Sequence, residues 1–261
     1  MNKYLLEFIG EFIGTFIIVF FGCGSVISAT LFESFDGLFQ VAFVWIIGVT
    51  LAIYSAKSYS NSHLNPAVSI AMLVAGKMRL KQLPHHLLGQ FLGAFASAGI
   101  LYLIYGGFIT EYELTHQIVR GDANSVITAS MFGEFFPNPG FSGIIKSASE
   151  WQAFGAEFSG TFILVYMIFW LIHPKNESQY TPLLIGMTVG GLICLLAPIS
   201  QGGFNPARDF GPRLFSYFAG WGDAAFPTPS FSFLTVYILG PVGGGIVAAL
   251  IFKLFHREKF T

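Results

Sequence analysis

The sequence predicts an all-α membrane protein: six transmembrane helices, two shorter half-helices that enter the membrane and turn back, and an inverted internal repeat. Three observations carry this. Apolar residues make up 54% of the 261 residues and charged residues only 10%, too little charge to cover a soluble domain of that length. The triplet Asn-Pro-Ala occurs twice, at Asn65-Pro66-Ala67 and Asn205-Pro206-Ala207, each time inside apolar sequence. The segments around one triplet also return around the other.

The first apolar stretch, near 4–31, follows Met1-Asn2-Lys3 directly and carries Glu7 and Glu11, so it reads as a retained span and not as a cleavable signal. Further stretches lie near 38–59, 83–106, 151–172, 182–198 and 231–255. A crossing helix needs roughly 20 residues, which makes the fifth short. Their many glycines suit close helix contacts in lipid. Cys23 and Cys194 give neither a disulfide framework nor metal spacing, and a net charge of −1 argues against a nucleic-acid partner.

Between the second and third stretches, and between the fifth and sixth, the triplets begin helices near 66–76 and 206–218, too short to cross. Asn caps a helix through its side chain, and Pro suits the first turn because its missing N–H is not needed there. Such a start exposes backbone N–H groups and the positive end of a dipole, tolerable at membrane depth only inside protein or beside a watery cavity. Two such starts point to a polar path through the membrane.

Basic residues set the orientation. With six crossings, Lys3, Lys57, Lys77, Arg79, Lys81, Lys175 and the tail residues Lys253, Arg257 and Lys259 share one side, expected to be cytoplasmic with both termini. The loops holding Glu33 and Asp36, and Asp223, fall outside. So does the central segment 107–150, mainly acidic apart from Arg120 and Lys146, with a turn-rich stretch at Pro137-Asn138-Pro139-Gly140.

The repeat divides a single channel domain into halves of about 1–106 and 151–261, joined by 107–150. Glu11-Phe12-Ile13-Gly14-Thr15-Phe16 returns as Glu157-Phe158-Ser159-Gly160-Thr161-Phe162, and Leu88-Gly89 with Gly93 returns as Leu239-Gly240 with Gly244. Three spans per half invert the second half, which puts the site near the midplane where the half-helices meet. Asn65 and Asn205 are then placed to donate to a passing oxygen, and the two half-helix dipoles to repel cations, hydronium included. A charge at membrane depth makes Arg208 a candidate site residue. Adjacent helical residues diverge by about 100°, so Asp209 is expected to face a neighbouring helix or loop and not Arg208. Glu11 and Glu157 need donors; supporting a re-entrant loop is favoured over a proton relay. The approaches Asn61, Ser62, His63, Leu64 and Gln201, Gly202, Gly203, Phe204 are expected to be extended, with carbonyls lining the pore. His63, on the pore-lining approach, reads as a ligand, a pH sensor or, more often for a lone His, a packed residue; no metal partner stands at ligand spacing.

The residues His63-Leu64-Asn65-Pro66-Ala67-Val68 and Phe204-Asn205-Pro206-Ala207-Arg208-Asp209-Phe210-Gly211-Pro212 resemble the two pore loops of the major intrinsic proteins, the aquaporins and glycerol channels. The resemblance spans nearly the whole chain and includes Thr115–Gly121 and Ala219-Gly220-Trp221-Gly222. The Asp after Asn-Pro-Ala-Arg and the long central segment are similar to the bacterial glycerol facilitators. The resemblance implies a constriction at Trp45, Ile193, Gly202 and Arg208. Trp45 and Arg208 match the glycerol branch. Gly202 stands where those facilitators carry a large aromatic, which implies a wider constriction; Phe204 lies deeper. It further implies a passive, non-enzymatic aquaglyceroporin of the cytoplasmic membrane, conducting glycerol, small polyols and water across the lipid bilayer without cofactor or metal, as a homotetramer. The alternatives are a water-selective or broad-polyol channel, a proton-coupled transporter using Glu11 and Glu157, or a purely structural membrane protein.

Overall fold

The computed structural model describes residues 2–176, 178–227 and 231–255. Its main helices are α1 Lys3–Phe32, α2 Leu38–Ala56, α3 Pro66–Val74, α4 Leu83–Thr115, α5 Val126–Ala129, α6 Glu150–Leu171, α7 Thr181–Ser200, α8 Pro206–Ser216 and α9 Gly240–Phe255. A widened turn, Leu234–Leu239, leads into α9. Among the described residues, six helical stretches are long and apolar enough to span a membrane, and they are those the hydropathy pattern picks out. The tail residues Arg257 and Lys259, placed on the cytoplasmic side by the charge pattern, lie outside the described residues.

Packing explains why the repeat preserves glycines. Spans α1 and α4 cross closely, as do α6 and α9. A Cβ on Gly93 would run into the carbonyl of Phe12, and a Cβ on Gly244 into that of Phe158. The half-helices interlock the repeats: α3 packs mainly on α9, and α8 on α4. The fit is again close, with the backbone of Ala67 against Gly245 and that of Phe91 against Gly211. Neither half therefore buries its half-helix by itself.

Two expectations need correction. The third span does not stop near 106; α4 runs on to Thr115. Glu113 in its last turn is buried and accepts from Thr128 Oγ1 at 2.8 Å and from Arg120, so the returning chain holds the extra turns in place. The segment 107–150 is accordingly not a peripheral loop. Beyond α5, residues 131–136 are all buried, and Asn138 Nδ2 donates to the Ala197 carbonyl at 2.9 Å. Second, the approaches to the triplets are not simply extended. Ser62 (φ 53°), Leu64 (φ 54°), Gln201 (φ 62°), Gly202 (φ 76°) and Phe204 (φ 51°) adopt left-handed backbone. That conformation turns the chain sharply enough to return each half-helix into the protein, and it is unfavourable for residues with a Cβ. Something must hold it.

Candidate functional site

A carboxylate holds each approach. Glu11 on α1 accepts from Ser60 Oγ (2.8 Å) and His63 N (2.9 Å) at one oxygen, and from Leu64 N (2.6 Å) and Gln90 Nε2 (2.7 Å) at the other. Glu157 on α6 accepts from Ser200 Oγ (2.7 Å), Gly203 N (2.9 Å) and Phe204 N (2.6 Å). Both are fully buried, and the bonds supply the donors a buried carboxylate requires. One turn further along each helix the repeat places a glycine, and the loop side chain fills that gap. A Cβ on Gly14 would collide with Leu64, and one on Gly160 with the Phe204 ring.

The loops deliver the triplets to each other. Asn65 Oδ1 caps α3 by accepting from Ala67 N at 2.8 Å, and Asn205 Oδ1 caps α8 by accepting from Ala207 N at 3.1 Å. Their amide nitrogens cross over: Asn65 Nδ2 donates to the Phe204 carbonyl and Asn205 Nδ2 to the Leu64 carbonyl, each at 2.8 Å. A side-chain amide has two N–H groups, so each Asn retains one donor after this exchange. Both Asn residues border a cavity of about 590 Å³. Its lining includes the apolar side chains Ile18, Val49, Leu164 and Ile168 together with the loop residues 60–65 and 202–205.

The remaining candidates divide. Trp45, His63, Leu64, Gly202, Gly203 and Phe204 border the cavity. Ile193 packs in the surrounding apolar core. Gln201 turns away to the central segment, accepting from Phe135 N at 2.6 Å. His63 bonds Ser69 Oγ through Nδ1 (3.2 Å), and its ring lies 4.8 Å from that of His86, whose own Nδ1 is 3.3 Å from Glu11.

Arg208 lies beyond the triplets, buried, with its guanidinium carbon 4.9 Å from the Trp45 ring centroid. Nη1 donates to the Phe132 carbonyl at 3.0 Å, Nη2 contacts the carboxylate of Glu134, and Nε has no hydrogen-bond partner among the described residues. Asp209 points elsewhere: it accepts from Glu134 N (2.7 Å) and pairs with Arg213 one turn on, through Nε (3.0 Å) and Nη2 (2.6 Å). Arg213 also donates to the Glu134 carbonyl. Burial pushes the Glu134 carboxyl up to about 7, with the Arg208 guanidinium pulling it down.

The sequence reading missed Glu134 and Arg213. A signal existed for both. Glu134 is the one acid in the apolar run Met131–Phe136, and Arg213 stands four residues after Asp209, the spacing of a helical ion pair. The two remaining segments of the resemblance also meet. Arg120 lies over the Trp221 ring, 4.2 Å from its centroid, and Trp221 Nε1 donates to Thr128 Oγ1 at 2.9 Å, which ties the central segment to the end of α8.

Comparison with known proteins agrees with this arrangement. The family described as "Major intrinsic protein" matches residues 2–252. The chain is 35% identical to the glycerol uptake facilitator protein of Haemophilus influenzae over 94% of its own length and 91% of that protein's. It is also 35% identical to the propanediol uptake facilitator of Citrobacter freundii, over 97% of its length and 93% of that protein's. The X-ray structure of the aquaglyceroporin from Plasmodium falciparum superposes with a TM-score of 0.83 at 27% identity, covering 97% of this chain and 98% of that one. Two crossed Asn-Pro-Ala half-helices inside six spans, matched in family and fold over nearly every residue, place this chain in the major intrinsic protein family of membrane channels.

Proposed function

We propose that this chain is a passive channel for glycerol and other small neutral polyols, with water, in the cytoplasmic membrane. Its relatives' names support the substrate class, since they include facilitators for glycerol and for propanediol. The observation that carries the reading is the reciprocal Asn65–Asn205 exchange. It leaves one amide donor on each Asn beside a cavity lined both by the polar loop backbone and by apolar side chains. A polyol has that same two-sidedness. Its hydroxyls exchange hydrogen bonds with the Asn amides and loop carbonyls, while its carbon skeleton slides along Ile18, Val49, Leu164 and Ile168. Trp45 and the unpartnered Nε of Arg208 extend this pairing outward. A cation meets two half-helix N-termini, each equivalent to roughly half a positive charge, and has no compensating partner there.

Glu11 and Glu157 act as loop anchors. Their oxygens are occupied by backbone and side-chain donors, which disfavours a proton relay. The charge pattern supports both termini on the cytoplasmic side, and the family resemblance supports a homotetramer with a pore in each subunit. Purified protein in liposomes tests the reading. Glycerol-driven swelling well above that of empty vesicles, unaffected by collapsing the proton gradient, is expected. Swelling no faster than empty vesicles overturns the channel; dependence on the gradient favours coupled transport.

A further inference from the structure

Around α8, beyond the triplets, four buried charges lie together among the described residues, and their pairing is unequal. Asp209 and Arg213, both on α8, satisfy each other through two hydrogen bonds. That leaves Arg208 as the excess charge of α8. Its compensation comes from a different part of the chain, Glu134 in the connection between α5 and α6. Glu134 is not there by chance contact. Its N–H is held by Asp209 and its carbonyl by Arg213, so the α8 pair fixes the backbone that presents the carboxylate to Arg208. Arg208 and Glu134 are both about 2% exposed, so solvent does little to screen either charge.

We propose that Glu134 is a selectivity determinant: by neutralising Arg208 it keeps small anions out of a pore whose half-helix ends already keep cations out. The inference rests on Arg208 lining the outer path as proposed above. The reasoning is electrostatic. The N-termini of α3 and α8 both point positive ends at the midplane. An uncompensated guanidinium on the same path would add a full positive charge in a place of low dielectric, and the summed field would attract an anion as strongly as it repels a cation. With Glu134 in place the outer segment has no net charge, and Arg208 still offers Nε as a donor to a neutral oxygen. Selectivity against both signs of charge then comes from two separate devices: dipoles at the centre and a balanced pair outside.

The test uses the full chain in liposomes at pH 8, with an anion-sensitive dye inside and nitrate as the probe, potassium and valinomycin clearing the charge. Glycerol swelling in the same vesicles reports that the pore is folded and open. Glu134→Gln keeps the size and removes the charge. It is expected to raise nitrate influx at least about tenfold, since a poorly screened unit charge exceeds the 1.4 kcal/mol that a factor of ten requires. Glu134→Asp, which keeps the charge, is expected to stay nitrate-tight. A Gln variant that swells in glycerol yet is as nitrate-tight as the parent overturns the proposal, as does an Asp variant that leaks as much as Gln. Charge reversal of the experiment covers the case in which Glu134→Gln does not fold. Arg208→Gln leaves Glu134 as an excess negative charge that offsets the half-helix dipoles; in vesicles without valinomycin it is expected to admit potassium, and adding Glu134→Gln to it is expected to restore tightness. A double variant that leaks like the single one overturns the pairing. An Arg208→Gln channel unchanged in every flux shows instead that Arg208 does not line the path, which is the failure of the earlier reading.

Discussion

Replacing Glu11 by Gln isolates what the anchor contributes, because the side chains are nearly the same size. Each carboxylate oxygen of Glu11 receives one backbone donor and one side-chain donor: His63 N with Ser60 Oγ, and Leu64 N with Gln90 Nε2. Whichever way a Gln amide turns, its NH2 group faces one backbone N–H that cannot rotate away. The side-chain donor beside it can reorient. At least one bond to a charged acceptor is therefore lost, worth about 1.5–3 kcal/mol, and those that remain fall to neutral strength. Removing a buried charge recovers part of this. The net cost to the docked loop is about 1–3 kcal/mol, so opening of the loop should become roughly 5- to 150-fold more frequent. Backbone amide exchange at His63 and Leu64 reads this directly. Glu157→Gln should do the same at Gly203 and Phe204, with a smaller change in the opposite loop passed on through the crossed Asn bonds. Unchanged exchange at His63 and Leu64, or equal acceleration throughout both loops from either variant, would refute the anchoring argument.

Other expectations follow from the same contacts. Gly93→Val should destabilise the channel by about 1–3 kcal/mol, because its Cβ meets the Phe12 carbonyl, while Gly155→Ala, where a Cβ meets nothing within 4 Å, should melt like the parent. Gly202→Phe should lower swelling in glycerol and in longer polyols alike and cost about 1–2 kcal/mol of stability, since φ is 76° and the new Cβ would lie 3.3 Å from the Phe204 ring. A loss confined to longer polyols would show that the ring enters the passage without strain. Lowering the pH through about 7 protonates Glu134, which faces Arg208, Asp209 and Arg213, and so removes the charge that balances the Arg208 guanidinium; nitrate leak through the parent should thus rise from pH 8 to pH 6 and stay flat in Glu134→Gln. A parent leak independent of pH over that range contradicts the assignment.

Much of this protein follows from its sequence alone, and for a clear reason. Lipid forces every span to be a long apolar helix, so hydropathy marks six of them directly, and a helix that starts inside such sequence needs a cap that is visible as Asn-Pro-Ala. The inverted repeat then predicts which residues correspond: Glu11 with Glu157, Gly14 with Gly160, Asn65 with Asn205. These are local patterns, and local patterns survive in one dimension. The tertiary structure decided the rest. The left-handed turns at Leu64 and Phe204 run against local propensity and leave no sign in a short window, because the carboxylates holding them come from helices 53 and 47 residues away. The third span continues to Thr115 because Arg120 and Thr128 fold back onto Glu113. Glu134 reaches Arg208 across 74 positions, from a segment that reads as loop until its neighbours are seen to be buried. Charge pairing over such separations depends on how the helices stack, and that is a property of the packed chain and not of any stretch of its sequence.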